Sequence, residues 1–137
     1  ALVDGPDLAA RVAEATGGAR VRLAIDAVGG GATERLAQAL APGGTVVVYG
    51  AMSGEAAKVS AASLIFRDVT VRGFWLASWF RTATPARMQA VFGELAQGVA
   101  SGTLSARVAA TVPLDRIGEA VALAATTARG GKVVVVP

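Results

Sequence analysis

The side chains that most often act as nucleophiles, general bases or zinc ligands are missing from this 137-residue chain, which contains neither Cys nor His. Disulfides, thiolate or imidazole nucleophiles and the usual zinc sites are therefore excluded. Carboxylates alone can hold magnesium, but no pair of Asp or Glu is spaced for it, and no Ser has a recognisable base partner. The sequence therefore predicts no catalytic residue and no metal site within the chain.

A glycine-rich turn at Gly29–Gly31 follows an apolar run, which is where nucleotide-binding proteins carry their phosphate-binding glycines. Counted from Gly29, however, the third glycine of a G-x-G-x-x-G fingerprint would stand at Glu34, so the match fails. Gly50 and Gly54 likewise lack the Gly-Lys-Ser/Thr sequence of a P-loop. The ordinary interpretation of Gly29–Gly31 is a strand-to-helix turn.

The aromatic residues are concentrated in one stretch, VRGFWLASWF at 71–80, which holds both tryptophans and two of the four phenylalanines. The preceding residues 69–71 are good strand formers and Gly73 ends the strand, so the rings lie just past its end. A Trp in this position most often packs in a core or an interface. The alternative is that these rings border a ligand.

The composition, with 53% hydrophobic and 17% charged residues, is that of a globular chain of one domain. Its apolar runs are strand-sized and shorter than the ~18 residues of a membrane span, so no membrane partner is expected. The net charge of +3 is spread without a basic run, which argues against nucleic acid as a partner. The chain has neither an initiator Met nor a signal peptide, and we expect it to be a segment of a longer protein.

Predicted helices and strands alternate along the chain. Pro6 suits the first turn of the first helix, Ser60 and Asp115 suit the cap position of two others, and Thr84-Pro85 opens the longest one. Helices are predicted over 4–18, 32–40, 60–66, 85–102 and 115–126, and strands over 21–28, 45–50, 68–74, 106–114 and 132–136.

This alternation predicts an α/β fold with a mostly parallel sheet and helices on both of its faces. Ligands of such sheets bind at the carboxyl ends of the strands. Three predicted loops lie there, at Val28–Gly31, Tyr49–Met52 and Phe74–Leu76. Glycines in the first two would let a ligand approach the backbone closely. The aromatic cluster therefore lies at the edge where a ligand is expected.

Four stretches carry a family resemblance: LAIDAVGG, LAQALAPGGTVVVYGAMSG, SLIFRDVTVRGFWLASW and GGKVVVV. They resemble the C-terminal half of the zinc-independent medium-chain dehydrogenases/reductases, and most of all the mitochondrial-type trans-2-enoyl-CoA/ACP reductases. The run I-F-R-D-x-x-x-R-G-F-W-L, placed after Y-G-x-M, is the most specific part. The resemblance implies the distal part of a Rossmann-like, doubly wound parallel sheet, followed by a helix-strand-helix-strand segment returning toward a substrate domain.

The same resemblance implies NADPH as cofactor and assigns its neighbours. Tyr49, Gly50, Ala51 and Met52 match a segment that lines the dinucleotide, with Ala51 in place of the family's glycine. Phe74, Trp75 and Leu76 match the segment bordering the nicotinamide and the acyl pocket. Lys132 matches a lysine that reaches the cofactor, although a solvated strand-start Lys is the ordinary interpretation. Val28 ends a strand at the same edge and is expected beside the ribose.

Residues 1–137 would then form part of a nucleotide-binding domain, with the glycine-rich phosphate turn and the substrate domain upstream of Ala1. The implied reaction is hydride transfer from NADPH to the β-carbon of a 2-enoyl thioester, in a longer protein, with the chain alone inactive. The alternatives are a quinone or enone reductase of the same superfamily, or a non-catalytic module for dimerisation or cofactor clamping. The expected location is cytoplasmic, or mitochondrial in a eukaryote.

The last strand of the first run, 69–73, is expected at a sheet edge, where unpaired backbone groups recruit another chain. The resemblance implies a homodimer that joins two sheets antiparallel across this strand. The alternative is that helix 85–101 of the same chain covers the edge.

Overall fold

The computed structural model of the chain describes residues 2–126 and 130–137. It divides into two compact units, Ala1–Thr82 and Ala83–Pro137. The first unit contains α1 (Leu8–Ala15), β1 (Leu23–Asp26), α2 (Gly31–Ala39), β2 (Thr45–Val48), α3 (Ala61–Ile65), β3 (Thr70–Gly73) and α4 (Leu76–Thr82). The second contains α5 (Pro85–Ala100), β4 (Val108–Pro113), a 3-10 turn (Leu114–Arg116), α6 (Ile117–Ala125) and β5 (Lys132–Val136).

The first unit is built on a parallel three-stranded sheet in the order β1-β2-β3. Its strands are in register, with Asp26 opposite Val48 and Val48 opposite Gly73. The predicted parallel pairing is confirmed, and β3 lies at an edge as expected. All three strands therefore end at the same level.

One face of this sheet forms the core of the first unit. Val46 at its centre is fully buried and packs with Ala37 of α2 and with Leu40, which follows that helix. On the opposite face of β1, Leu23 and Ile25 are 62% and 66% exposed. The prediction of helices covering both faces of the sheet is therefore not met over β1, because the outward side chains of this strand are exposed.

The second unit contains a separate sheet, in which β4 and β5 pair in parallel. The alternation predicted a mostly parallel sheet, and the described strands form two parallel sheets. The helix α6 lies between the two strands in the chain, so they form a βαβ unit with each other. Within the described residues, no helix combines the length and the apolar character that crossing a membrane requires.

Two predicted helix caps are confirmed. The Ser60 hydroxyl accepts a hydrogen bond from the Ser63 N–H at 3.1 Å, and the Thr84 hydroxyl accepts one from the Arg87 N–H at 3.2 Å. Asp115 does not cap α6, because it lies inside the 3-10 turn that precedes this helix.

Two other helix starts differ from the prediction. Pro6 stays outside α1, because Asp7 has a left-handed backbone (φ +55°) and the helix begins after it. At the other end of the first unit, the stretch predicted as the loop Phe74–Leu76 passes into α4 at Leu76.

Candidate functional site at the carboxyl edge of the first sheet

The three predicted ligand loops of the first unit lie together at the carboxyl ends of its strands. The Tyr49 N–H donates to the Asp26 carbonyl and the Phe74 N–H to the Val48 carbonyl, both at 2.9 Å. The ladder thus continues for one residue beyond each strand. Val28, the stretch 49–52 and the stretch 74–76 therefore follow neighbouring strand ends. Lys132 lies in the second unit, as the exposed first residue of β5.

Asp26, the last residue of β1, organises the first of these loops. Its side chain is buried, at 1% exposure, and aimed into the turn that follows. One carboxylate oxygen accepts the N–H groups of Val28 and Gly29 at 2.8 and 3.1 Å. The other accepts the hydroxyl of Thr33 from α2 at 2.6 Å. One side chain therefore ties the strand end, the turn and the first residues of the helix together.

The Asp26 carboxylate is stabilised in its charged form. Burial raises the pKa of this carboxyl, but the hydrogen bonds from Thr33, Gly29 and Val28 outweigh that effect and hold the pKa below its usual range. A buried carboxylate with three donors has the partners that a buried charge requires. The turn is therefore built around an ionised aspartate.

The second loop is fastened to the first through backbone carbonyls. The Met52 N–H donates to the Ala27 carbonyl at 3.0 Å, and the Ser53 N–H donates to the Val28 carbonyl at 2.9 Å. The Ser53 hydroxyl donates to that same Val28 carbonyl at 2.7 Å. Further along, the Lys58 N–H donates to the Gly30 carbonyl at 3.1 Å. Residues 27–31 and 49–58 thus form one connected surface, which we name the loop platform.

The glycines of the loop platform allow the two loops to approach each other closely. A Cβ atom at Gly50 would lie 2.8 Å from the Ala27 carbonyl oxygen. Gly30 has a left-handed φ of +57°, and a Cβ there would lie 3.1 Å from a Glu55 carboxylate oxygen. We predicted glycines here for the close approach of a ligand. In the structure their missing side chains leave room for the neighbouring loop, and the close approach of a ligand stays a prediction.

A groove of about 590 Å³ opens beside β1. Its volume falls in the range of small-molecule sites, which is roughly 300–1,000 Å³. Its lining is mainly apolar, with Asp4 and Asp26 as its acidic residues. Among the predicted cofactor residues of the first unit, Val28 and Tyr49 line it. Small-molecule sites commonly combine such an apolar wall with a few placed polar groups.

The aromatic cluster is exposed rather than buried. Phe74 is 45%, Trp75 64% and Leu76 53% exposed. The Arg81 guanidinium lies over the Trp75 ring, 4.7 Å from its centroid, and the rings of Trp79 and Phe80 meet edge to face at 5.2 Å. Trp75 is therefore not a core residue of this chain, and its ring is open to a partner or a ligand.

Sequence reasoning missed three residues of this site, namely Asp26, Thr33 and Ser53. A signal was present for Asp26, because an Asp directly before a glycine-rich turn often accepts hydrogen bonds from the backbone N–H groups two and three residues later, as in an Asx-turn. No signal identified Ser53, because its acceptor lies 25 residues away in sequence.

The comparisons with known proteins agree with this fold. Residues 2–135 match the family described as zinc-binding dehydrogenase. The mitochondrial enoyl-[acyl-carrier-protein] reductase of Bos taurus is 39% identical over 94 residues, which are 69% of this chain and 25% of the relative. This chain therefore spans about a quarter of the length of that protein.

Solved structures share the fold over nearly the whole chain. A putative NADPH:quinone reductase from Bacillus thuringiensis has a TM-score of 0.72 and 29% identity, covering 94% of this chain and 39% of that one. The complex of Etr1p with NADP and crotonyl-CoA has a TM-score of 0.74 and 19% identity, covering 97% and 38%. The Etr1p/Etr2p heterodimer from Candida tropicalis has a TM-score of 0.71 and 18% identity, covering 95% and 37%. The last two similarities concern the fold alone.

The family's description names zinc, but the residues of this chain do not fit a zinc site. Cys and His are missing from the sequence. Over residues 2–126 and 130–137, no cluster of three or more potential metal ligands occurs.

The match over residues 2–135 confirms the resemblance stated from the sequence. The chain belongs to the zinc-binding dehydrogenase family, within the medium-chain dehydrogenases/reductases, and is homologous to mitochondrial enoyl-[acyl-carrier-protein] reductases and to quinone reductases.

Proposed function

We propose that this chain is part of the nucleotide-binding domain of an NADPH-dependent reductase that acts on 2-enoyl thioesters. The observation that carries the proposal is the convergence of the family-like segments, 26–31, 49–52 and 74–76, at one sheet edge. The 39% identity to a mitochondrial enoyl reductase supports the same acceptor class.

The loop platform would hold one face of the dinucleotide. Bound NADPH would supply a hydride for the β-carbon of an α,β-unsaturated acyl thioester. Val28 and Met52 are 41% and 83% exposed and offer apolar contacts, and the exposed Tyr49 lines the neighbouring groove. Their task is orientation, because hydride transfer requires reacting atoms held at ~3–3.5 Å. Gly50, Ala51 and Lys132 complete the proposed cofactor contacts.

The aromatic cluster would form a wall of the acyl pocket. Phe74, Trp75 and Leu76 present an exposed apolar surface directly after β3. Such a wall excludes water from the reacting carbon and sets the acceptable chain length by contact. The Arg81 guanidinium above Trp75 would favour one orientation of that ring.

Reduction of a quinone or another enone is the second candidate, and it is favoured by the 29% identity to a putative NADPH:quinone reductase. It would use the same cofactor surface and differ only in the acceptor. A comparison of acceptors therefore separates the two proposals, whereas cofactor binding does not.

We also propose a homodimer through the edge strand β3. The Thr70 N–H donates to Gly44 and the Phe74 N–H to Val48, so both bonds point toward β2. The Val71 N–H, on an alternate residue, then faces the open edge. A two-fold antiparallel contact of this strand with its copy would satisfy that row of donors and acceptors.

The second unit, with its β4–β5 sheet, would lead toward the substrate domain. Residues 1–137 would thus be a partial nucleotide-binding domain, completed by a glycine-rich phosphate turn and a substrate domain elsewhere in a longer protein. A reductase of roughly the bovine relative's length is the proposed context, since this chain covers 25% of it.

The cofactor part of the proposal is tested by titrating the 15N-labelled chain with NADPH and following its amide resonances. We expect shifts at Val28, Tyr49, Met52 and Phe74, and none at the matched exposed loop residue Ser105. Binding should be weak, in the millimolar range, which corresponds to roughly 4 kcal/mol. Shifts scattered over residues far in sequence from every proposed contact, or none at millimolar NADPH, would refute the proposed cofactor surface.

A further inference from the structure

The peptide groups of Val28 are held from two sides. Its N–H donates to the buried Asp26 carboxylate at 2.8 Å. Its carbonyl oxygen accepts both the N–H of Ser53 at 2.9 Å and the hydroxyl of Ser53 at 2.7 Å. The polar backbone atoms of Val28 are therefore already used within the protein. A ligand beside Val28 meets the isopropyl side chain, which is 41% exposed.

The Ser53 hydroxyl is the side-chain link between the two loops of the platform. It donates across to Val28 and accepts the N–H of Glu55 in its own loop at 3.1 Å. The buried Asp26 carboxylate accepts hydrogen bonds from the first loop on the protein side. The exposed Ser53 hydroxyl donates a hydrogen bond to the same loop on the solvent side. Both hydrogen-bonding functions of the hydroxyl are engaged, which argues against a role of Ser53 as a nucleophile.

We infer that Ser53 is a positioning residue for the nicotinamide dinucleotide, a role that rests on the proposed function. It locks the loop that carries Tyr49 and Met52 against the loop that carries Val28. Because the cofactor contacts lie on two separate loops, a ligand would otherwise have to order one against the other while binding. A fixed platform removes that ordering cost before the cofactor arrives.

The structure supplies two reasons to assign this role to the hydroxyl rather than to loop packing in general. The Ser53 N–H bond to Val28 does not use the side chain, so Ser53→Ala keeps this donor and tests the contribution of the hydroxyl. Ser53 is also exposed and lies outside the apolar core around Val46. Loss of the hydroxyl therefore leaves the packing of the first unit intact.

The test uses the complete 137-residue chain with Ser53→Ala, with Ser53→Thr as the conservative rescue, and with Ser105→Ala as the matched control. Amide hydrogen exchange is measured in the free proteins, and NADPH is then titrated against the amide resonances. We expect Ser53→Ala to speed exchange at Glu55 severalfold and to raise the dissociation constant for NADPH at least about threefold, the size of effect that one modest hydrogen bond supplies. Ser53→Thr and Ser105→Ala should both stay close to the parent chain, and all melting temperatures should agree within a few degrees.

Two results would overturn the assignment. One is an unchanged NADPH dissociation constant in Ser53→Ala while the parent chain binds. The other is a loss of binding that Ser53→Thr does not restore and that accompanies a large fall in melting temperature, which would make the residue merely structural. A parent chain without NADPH-dependent shifts would instead refute the proposed cofactor site. The two failures are thus distinguishable.

Discussion

At the scale of single residues, Asp26 determines the shape of the candidate site. Its carboxylate holds two turn N–H groups and the Thr33 hydroxyl while almost fully buried. An Asn in its place has one oxygen and one NH2 group, so it cannot accept from both sides. We expect Asp26→Asn to lower the free energy of unfolding by about 1–3 kcal/mol, since a buried donor is left unpaired. Urea denaturation measures this, and Asp115→Asn, an exposed change, is the control.

Because the Asp26 carboxylate is stabilised in its charged form, we expect the stability of the fold to depend on pH on the acid side. Hydrogen bonds hold the pKa values of Asp26 and Glu34 below their usual ranges, against a burial effect that raises them. Groups with a depressed native pKa stabilise the fold above their unfolded pKa, near ~4, and lose that contribution as the pH falls further. Stability should therefore be level above about pH 5 and decline below about pH 4. The decline should be shallower in Asp26→Asn, and equal slopes in both proteins would contradict this origin.

A prediction about substrate specificity concerns Trp75. Its exposure of 64% means that Trp75→Ala should cost under about 1 kcal/mol of stability, far below the ~3–5 kcal/mol of a buried ring. In a bovine enoyl reductase whose matching segment is replaced by this chain, the substitution should change kcat/KM between short and long enoyl thioesters. The half-buried Trp79, substituted to Ala, is the control for stability. An equal loss for all chain lengths together with a large fall in melting temperature would remove Trp75 from the acyl pocket.

At the scale of elements, the edge position of β3 predicts how the chain associates. Proline is tolerated in an edge strand when its nitrogen faces away from the neighbouring strand. Val71→Pro should therefore fold, because the Val71 N–H points away from β2, yet it removes a donor from any contact across the edge. Sedimentation should show a monomer for Val71→Pro and a dimer for the parent chain. A dimer of unchanged affinity in Val71→Pro would move the contact elsewhere.

Local sequence signals predicted much of the element pattern. Apolar β-branched runs located β2 and β5, and the caps Ser60 and Thr84 located two helix starts. The failures have a common cause, which is a competing local conformation. The left-handed backbone of Asp7 delayed α1, and a 3-10 turn displaced Asp115 from its expected cap position. The helix α4 was missed because Phe74–Leu76 was interpreted as one of the ligand loops that follow the strands.

At the scale of the whole molecule, the predicted α/β fold with parallel pairing is confirmed, but the division of the strands into two sheets was not predicted. Pairing partners depend on tertiary contacts that periodicity does not encode. The candidate site, too, was predicted only in part. Parallel strand ends brought Val28, Tyr49 and Phe74 to one edge as predicted. The Ser53–Val28 bond joins residues that no local pattern connects.

The chain is much shorter than its relatives, and this bears on its catalytic activity in isolation. It spans 25% of the bovine enoyl reductase, and we predicted no catalytic residue within its sequence. We expect no measurable turnover of crotonyl thioester by the 137 residues alone, in an assay of NADPH absorbance at high enzyme concentration. Turnover that survives further purification and follows the protein peak would show that the chain is sufficient by itself.

The most direct test of the central claim is the acceptor preference of the hybrid in which this chain replaces the matching segment of the bovine enoyl reductase. We predict NADPH-dependent reduction of crotonyl thioester with kcat/KM within about tenfold of the parent enzyme, a loss of no more than ~1.4 kcal/mol of transition-state stabilisation. Reduction of a benzoquinone should be at least about tenfold less efficient. A folded hybrid that binds NADPH but reduces the quinone in preference to the thioester would contradict the account.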